Sequence, residues 1–375
     1  MIRALVIVCA LGSIAQAKPD DDVLARVNTY RKIAGLAPVK LDAKLSQGCM
    51  EHAKYMLLND GTPAMEGLAA HKQDPSRPGA TPAGAACGKA ADLFPGVSDL
   101  ETAVDAWMGG LYHRRPILNP TLERIGVGYA KKPNGSLMAA LMFVDGKAPP
   151  ERWPVAYPAK DQTGVPLEFG NEIPNPIPGG RSGGYAVTLQ FPPFDKVTAV
   201  TATLVDAANK PVPFHLSTPE RPATSFGQYG VVCLIPKQAL RAATTYKVSI
   251  TATWKTVTQT RAWSFTTVAL RELDPLDDGA LAKALGKPSR VRAKVDYGGQ
   301  MSTDTMFLSI GRREGGRYKM VSVLIPAKLW ATMKLGKANA LDGKMIEIEA
   351  TPQLVGGGYL NLPISNAQQL RIVKP

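Results

Sequence analysis

The chain has 375 residues, a formal charge of +13 at neutral pH, 35 glycines, 31 prolines and four cysteines. This length calls for two or three domains. The glycine and proline content argues against a long helical bundle, and so few cysteines exclude a cysteine-dense scaffold. The positive charge is spread along the chain, so it suits contact with anionic polymers or lipid headgroups without singling out a partner.

Residues 1–17 read as an export signal. Arg3 supplies the basic start, ALVIVCALGSI the apolar run, and Ala15-Gln16-Ala17 the small residues at the cleavage positions. Cleavage leaves Cys49, Cys87 and Cys233. Three thiols cannot all pair within one molecule. Cys49 and Cys87 lie in the same candidate domain and can form a disulfide, the other reading being two buried thiols. Cys233, in the apolar run VVCLIP, reads as core. No later segment has about 18 uncharged apolar residues, the length a membrane-spanning helix requires.

From about residue 20 to 147 helices mix with a few strands, an α+β pattern. Val23, Val27, Tyr30 and Ala34 recur at helical spacing, and Gly35 and Pro38 end that helix. Asp42 stands where an N-cap belongs, before a second helix carrying Leu45, Cys49, His52, Ala53 and Met56 on one side. The Gly-, Pro- and Ala-rich stretch that follows reads as a long irregular connection. Ser98 and Glu101 form a capping-box pattern ahead of a third helix. Two strands follow, near ERIGVGYA and GSLMAALMFV, with Pro133-Asn134-Gly135 between them. The glycines of RIGVGYA lie inside a strand pattern, so this is not a dinucleotide-binding unit.

Residues 148–183, from PPERWPVAYP to EIPNPIPGGRSGG, read as an ordered Pro/Gly-rich linker. Residues 184–268 carry repeated strand patterns rich in Val, Thr and aromatics, which indicate a β-sandwich. Residues 269–375 hold five or so strands with an interposed helix. They fit a small, partly open β-barrel as well as a generic β-rich accessory domain.

The segments VNTYRKIAGLAPVKLDAKLSQGCMEHAKYM and AWMGGLYHRRPILNPTLERIGVGYA resemble, in order and separation, the CAP superfamily: the cysteine-rich secretory, antigen-5 and pathogenesis-related proteins, in their cysteine-poor bacterial branch. The resemblance implies an α-β-α sandwich for the first domain, with a cleft holding two histidines and acidic partners. It places His52 and His113 at the histidine positions, 61 residues apart in the chain. The family's Gly-Glu-Asn segment between them is absent here, where ACGKAADL stands instead. Asp92 and Glu123 are the carboxylates left as candidate cleft residues. The end WSFTT resembles bacterial Ig-like modules, and GKMIEIEATPQLVGGGYLNL resembles OB-like barrels. The expected fold is therefore an α+β CAP-like sandwich, an Ig-like β-sandwich and a β-rich, OB-like barrel.

For each residue a plain structural role competes with a functional one. His52 and His113 line a cleft or serve as core and loop histidines. If they bind a divalent transition metal, further ligands are needed. His71, in AAHKQDPSRPG, reads as exposed, and His215 as structural or exposed. No serine-nucleophile elbow and no HExxH motif occurs. The expected function is secreted or envelope-associated binding or adhesion, with an envelope polymer, a small hydrophobic ligand or an extracellular protein as partner. The alternatives are a metal-assisted extracellular hydrolase and a noncatalytic structural envelope protein. Arg290, Arg292, Lys294, Arg312, Arg313, Arg317 and Lys319, with Tyr297, Phe307, Tyr318 and Tyr359 as stacking surfaces, offer phosphate-binding chemistry. They read as a solvated basic surface, and nucleic acid is not an expected partner of an exported chain.

Overall fold

A computed structural model describes residues 19–146, 152–170, 172–179, 183–311, 318–355 and 358–374. The expected export signal and Arg312, Arg313 and Arg317 lie outside them. The chain divides into two compact units. One holds residues up to Met108 and His113–Arg152, and the other holds Gly109–Tyr112 and Trp153–Pro375.

The first unit opens with α1 (Pro19–Ile33), whose first turn carries Asp20, Asp21 and Asp22 where the helix dipole favours anions. The short β1 (Lys40–Leu41) leads into α2 (Ala43–Leu58). Asp42 caps α2 as the sequence indicates, its carboxylate accepting from the Lys44 and Leu45 amides. The stretch read as irregular holds more structure than expected. It contains 3-10 turns at Pro63–Met65 and Gly67–His71, then α3 (Pro82–Ala90) and β2 (Ala91–Val97). A start signal for α3 was present: Thr81 caps it by accepting from the Gly84 amide, and Pro82 follows in the first turn. Then come α4 (Leu100–Gly109), α5 (Arg114–Ile117), β3 (Leu122–Lys131) and β4 (Leu137–Asp145). The acceptor at the start of α4 is Asp99 rather than Ser98, and it takes both the amide and the hydroxyl of Thr102.

The sheet order is β1-β3-β4-β2. Its register shows why β3 carries the pattern IGVG. A Cβ on Gly128 would sit 2.0 Å from the Cys49 carbonyl carbon, and one on Gly126 would sit 2.4 Å from Leu45 Cβ. Glycine therefore lets α2 lie directly on the strand backbone. Beyond the two residues of β1, the open edge of β3 is satisfied by α2 side chains: the Val127 amide donates to Ser46 Oγ (3.1 Å) and the Tyr129 amide to Met50 Sδ (3.2 Å). Ile125 and Val127 alternate with these glycines, point to the other face, and are buried.

Arg31 of α1 is fully buried, and its guanidinium donates to four carbonyls: Ala37, Ile117, Asn119 and Leu122. Burial pushes it down to about 10, opposed by Asp145, so it stays charged at neutral pH. Asp105 of α4 joins α1 through a two-pronged contact with Arg26 and a hydrogen bond from the Tyr30 hydroxyl.

The second unit is β-rich. Two strands come from the segment read as a linker, β5 (Val155–Tyr157) and β6 (Gln162–Val165). They are followed by β7 (Val187–Gln190), β8 (Val197–Val205), β9 (Phe214–Ser217), β10 (Val231–Pro236), β11 (Thr245–Trp254) and β12 (Val257–Thr267). These eight form two four-stranded sheets, β5-β7-β10-β9 and β6-β12-β11-β8. The amides of Leu111 and Tyr112, which belong to this unit, both donate to the buried Glu172 carboxylate. Cys233 is a buried thiol in β10.

The remaining elements are β13 (Arg271–Leu273), α6 (Asp278–Ala284), β14 (Ser289–Ser302), β15 (Thr305–Ile310), β16 (Met320–Pro326), α7 (Ala327–Met333), β17 (Met345–Ala350), β18 (Gln353–Val355), β19 (Tyr359–Pro363) and β20 (Leu370–Ile372). Their sheet runs β18-β19-β16-β15-β14-β17-β20, with β13 also on β14, around one apolar core. Arg290 sits among Glu272, Glu347 and Glu349, so this part of the basic surface is neutralised within the protein.

Candidate functional site

The site is built where α2 and α3 meet the 3-10 turn Gly67–His71. Cys49 of α2 and Cys87 of α3 are joined by a disulfide, with Cα atoms 5.2 Å apart. One turn further along α2, the His52 ring lies against Gly88, where a Cβ would come within 2.3 Å of His52 Cε1. The small residues of ACGKA, which looked like loop composition, are what allow two helices to close on an imidazole.

The protonation of His52 follows from its neighbours. Gln73 Oε1 accepts from the Thr81 amide (2.8 Å), so the amide group of Gln73 faces His52 Nδ1 at 3.1 Å and donates to it. The remaining proton belongs on Nε2, which is buried and makes no well-formed hydrogen bond, although the Ala70 carbonyl acts on the ring from nearby. Burial pushes His52 down to about 4, and the charge of His71 pushes the same way. His52 is fully buried. It is therefore not the solvent-accessible cleft residue that the resemblance implies.

His71 carries the correction in the other direction. Read as exposed, it is half-buried, with Nδ1 2.9 Å from the Gly88 carbonyl oxygen. A carbonyl only accepts, so Nδ1 bears the hydrogen and Nε2 is the basic nitrogen of the neutral ring. Burial lowers its proton affinity, the Gly88 carbonyl opposes this, and the charge of His113 lowers it further. His113 stands at the N-terminal boundary of α5. His71, which the sequence analysis reads as exposed, thus feels the charge of His113 and acts in turn on His52.

Asp92 is buried in β2, four residues beyond the carbonyl that His71 engages. Glu123 is exposed at the start of β3, its carboxylate over Gly146, with β4 between its strand and β2. Among the described residues no group of three or more His, Cys, Asp or Glu is arranged to hold a metal ion. His71 and His113 offer two imidazole donors, fewer than stable coordination by protein groups requires. His215 belongs to β9 of the second unit, away from this constellation in sequence and unit.

The buried imidazoles predict an acid sensitivity. Both His52 and His71 have folded-state proton affinities below the ordinary 6.5. As pH falls through 6.5 the unfolded chain takes up protons that the folded chain refuses, so stability drops until His52 titrates near 4. For His52 alone the loss is about 3 kcal/mol between those limits. Thermal unfolding at several pH values should show it, and the slope should flatten in His52→Gln. An equal slope in that variant would contradict the assignment.

Comparison with known proteins places this unit. Residues 24–144 match the family model described as CAP, the cysteine-rich secretory protein family. A comparison with curated proteins finds no match. Among solved structures, the chain is similar to the venom allergen-like protein 4 of Schistosoma mansoni, with 14% identity and a TM-score of 0.21, covering 36% of this chain and 92% of that one. It is similar to an outer surface protein of Borrelia burgdorferi, with 20% identity and a TM-score of 0.24, covering 34% and 93%. It is also similar to CopC from Methylosinus trichosporium OB3b, with 13% identity and a TM-score of 0.22, covering 32% and 93%. Residues 24–144, which hold the disulfide-linked helices, the glycine-bearing β3 and the histidines, are therefore a CAP domain.

Proposed function

We propose that the protein is an exported binding protein whose CAP domain receives its ligand at His71 and His113. The observation that carries this reading is the state of His71: half-buried, disfavoured as a cation, and committed through Nδ1 to the Gly88 carbonyl, which reserves Nε2 for a ligand hydroxyl or amide. His52, Gln73 and Thr81 form the rigid support behind it. Such a site favours a neutral ligand with a hydrogen-bond donor, carried by a small hydrophobic molecule, an envelope polymer or an extracellular protein. Metal-assisted hydrolysis has no observation in its favour, since the donor set among the described residues stops at two imidazoles. The family description is of secretory proteins, which supports export, and no described helix is long and apolar enough to cross a membrane.

The second unit supplies further surfaces on the same chain. We read the two four-stranded sheets as an Ig-like sandwich. We read the last sheet as an OB-like barrel, supported by the antiparallel β14–β17 pair, the parallel β16–β19 pair and α7 between β16 and β17. Several weak sites on one chain raise avidity without catalysis.

Native mass spectrometry of the full chain, recovered from its own host, tests the CAP-domain reading. A bound small molecule or glycan fragment is expected on the wild type and is expected to be lost in His71→Ala/His113→Ala at unchanged melting temperature. Retention of the same ligand by that variant, or metal-dependent turnover that the variant abolishes, would overturn it.

A further inference from the structure

Three loops of the second unit converge around a cluster of aromatic side chains. The first, between β7 and β8, has the sequence Phe191-Pro192-Pro193-Phe194-Asp195-Lys196. The second, before β10, ends Phe226-Gly227-Gln228-Tyr229-Gly230, and the third is the β11–β12 turn Trp254-Lys255-Thr256-Val257. Their meeting is fixed by contacts. The Lys255 amide donates to the Lys196 carbonyl at 3.0 Å, and the Phe194 and Tyr229 rings meet edge to face with centroids 5.6 Å apart. Trp254 packs on the buried Phe191 ring.

The cluster is apolar and exposed. Phe194 is 89% exposed, Val257 63% and Tyr229 40%. A single exposed apolar residue is ordinary, but a group of them brought together from separate loops marks a contact surface. The loops hold the rings outward rather than letting them collapse. Two successive prolines stiffen the approach to Phe194. Tyr229 has φ 51°, the left-handed region that a bulky residue occupies only at a cost of about 1–2 kcal/mol.

The charge around the cluster is basic. Lys196 and Lys255 are exposed beside it. The one carboxylate in these loops, Asp195, accepts from Trp254 Nε1 at 2.8 Å and pairs with Lys255 at 3.6 Å, so two lysines against one carboxylate leave the balance beside the cluster positive by one charge. The chain as a whole carries +13. An apolar centre rimmed by lysines matches a layer that is anionic at its surface and apolar beneath. Aromatic rings settle at that boundary, and each surface lysine adds about 1 kcal/mol against anionic headgroups. The rings of Phe194 and Tyr229 stand at 86° to each other and form no flat platform of the kind a sugar ring stacks upon.

We propose that this loop cluster docks on an anionic lipid surface, with Phe194 and Tyr229 entering the headgroup boundary and Lys196 and Lys255 meeting lipid phosphates. The site is separate from the CAP-domain histidines, and its failure would leave the reading of that domain untouched.

The test is co-sedimentation of the full chain with vesicles of phosphatidylcholine alone, or with about one third phosphatidylglycerol. Binding to the anionic vesicles is expected, weaker by about ten-fold or more on neutral ones and in high salt. Phe194→Ser/Tyr229→Ser should lower anionic-vesicle binding by about ten-fold or more, and Lys196→Glu/Lys255→Glu by a similar factor, with unfolding temperatures unchanged because the side chains are exposed. Absence of binding to anionic vesicles would overturn the proposal, as would binding that both double variants leave intact. Self-association of the chain that Phe194→Ser abolishes, without vesicle binding, would assign the cluster to a second copy and overturn it equally.

Discussion

Replacing Arg31 with methionine is expected to destabilise the CAP domain by about 4 kcal/mol or more. The residue is buried to 0% exposure, and its guanidinium reaches the Ala37, Ile117 and Asn119 carbonyls at 2.8 Å and the Leu122 carbonyl at 3.3 Å. Methionine fills similar volume but donates nothing. Each buried carbonyl left without a donor costs about 1–3 kcal/mol. Lysine should do better than methionine and worse than arginine, because it keeps a charge but lacks the planar fork that serves divergent carbonyls. Urea unfolding of the wild type, Arg31→Lys and Arg31→Met measures the order. Equal midpoints for the wild type and Arg31→Met would show that the carbonyls find other donors and that the arginine is dispensable.

Loss of the Cys49–Cys87 disulfide is expected to cost nearly as much. The bridge closes a segment of 38 residues. The chain-entropy account assigns such a closure about 4 kcal/mol of stabilisation through the unfolded state. The bridged segment contains His71 and Gln73, so the site should loosen along with the fold. Cys49→Ser/Cys87→Ser and the wild type under reductant should melt at the same lowered temperature. A reductant-insensitive melting curve for the wild type would contradict the linkage.

Much of the architecture was legible because it follows local chemistry. Asp42 before the apolar face of α2 is a capping signal, and the structure uses it as one. In TYKVSITATW the apolar Tyr246, Val248, Ile250 and Ala252 alternate with polar residues, and the whole segment forms β11 with those four side chains buried. The stretch between α2 and α4 was harder to read. Glycine and alanine in ACGKA serve tight helix packing against His52, and composition alone does not separate that use from a loop.

The site was half legible for the same kind of reason. His52 sits on the buried side of α2, and burial at helical spacing says nothing about whether a ring faces a cleft or backs it. His71 lies among polar and proline residues that suggest solvent, yet the Gly88 carbonyl across the fold fixes it. The one usable signal was Thr81-Pro82, which starts α3 and so brings Gly88 beneath the histidine. Glu123 was offered as an acid by its position before IGVG. In the fold its carboxylate lies beside Gly146.

The central claim, that His71 and His113 form one site in which burial and the charge of His113 disfavour a His71 cation, can be tested on the whole protein because it has only four histidines. An NMR titration of the four imidazole Hε1 resonances measures it. The account predicts that His52 titrates near 4. It also predicts that His71 titrates below the ordinary 6.5 and moves up in His113→Gln, since a neighbouring cation has been removed. A His71 that titrates at or above 6.5, and that does not respond to His113→Gln, would contradict the shared site.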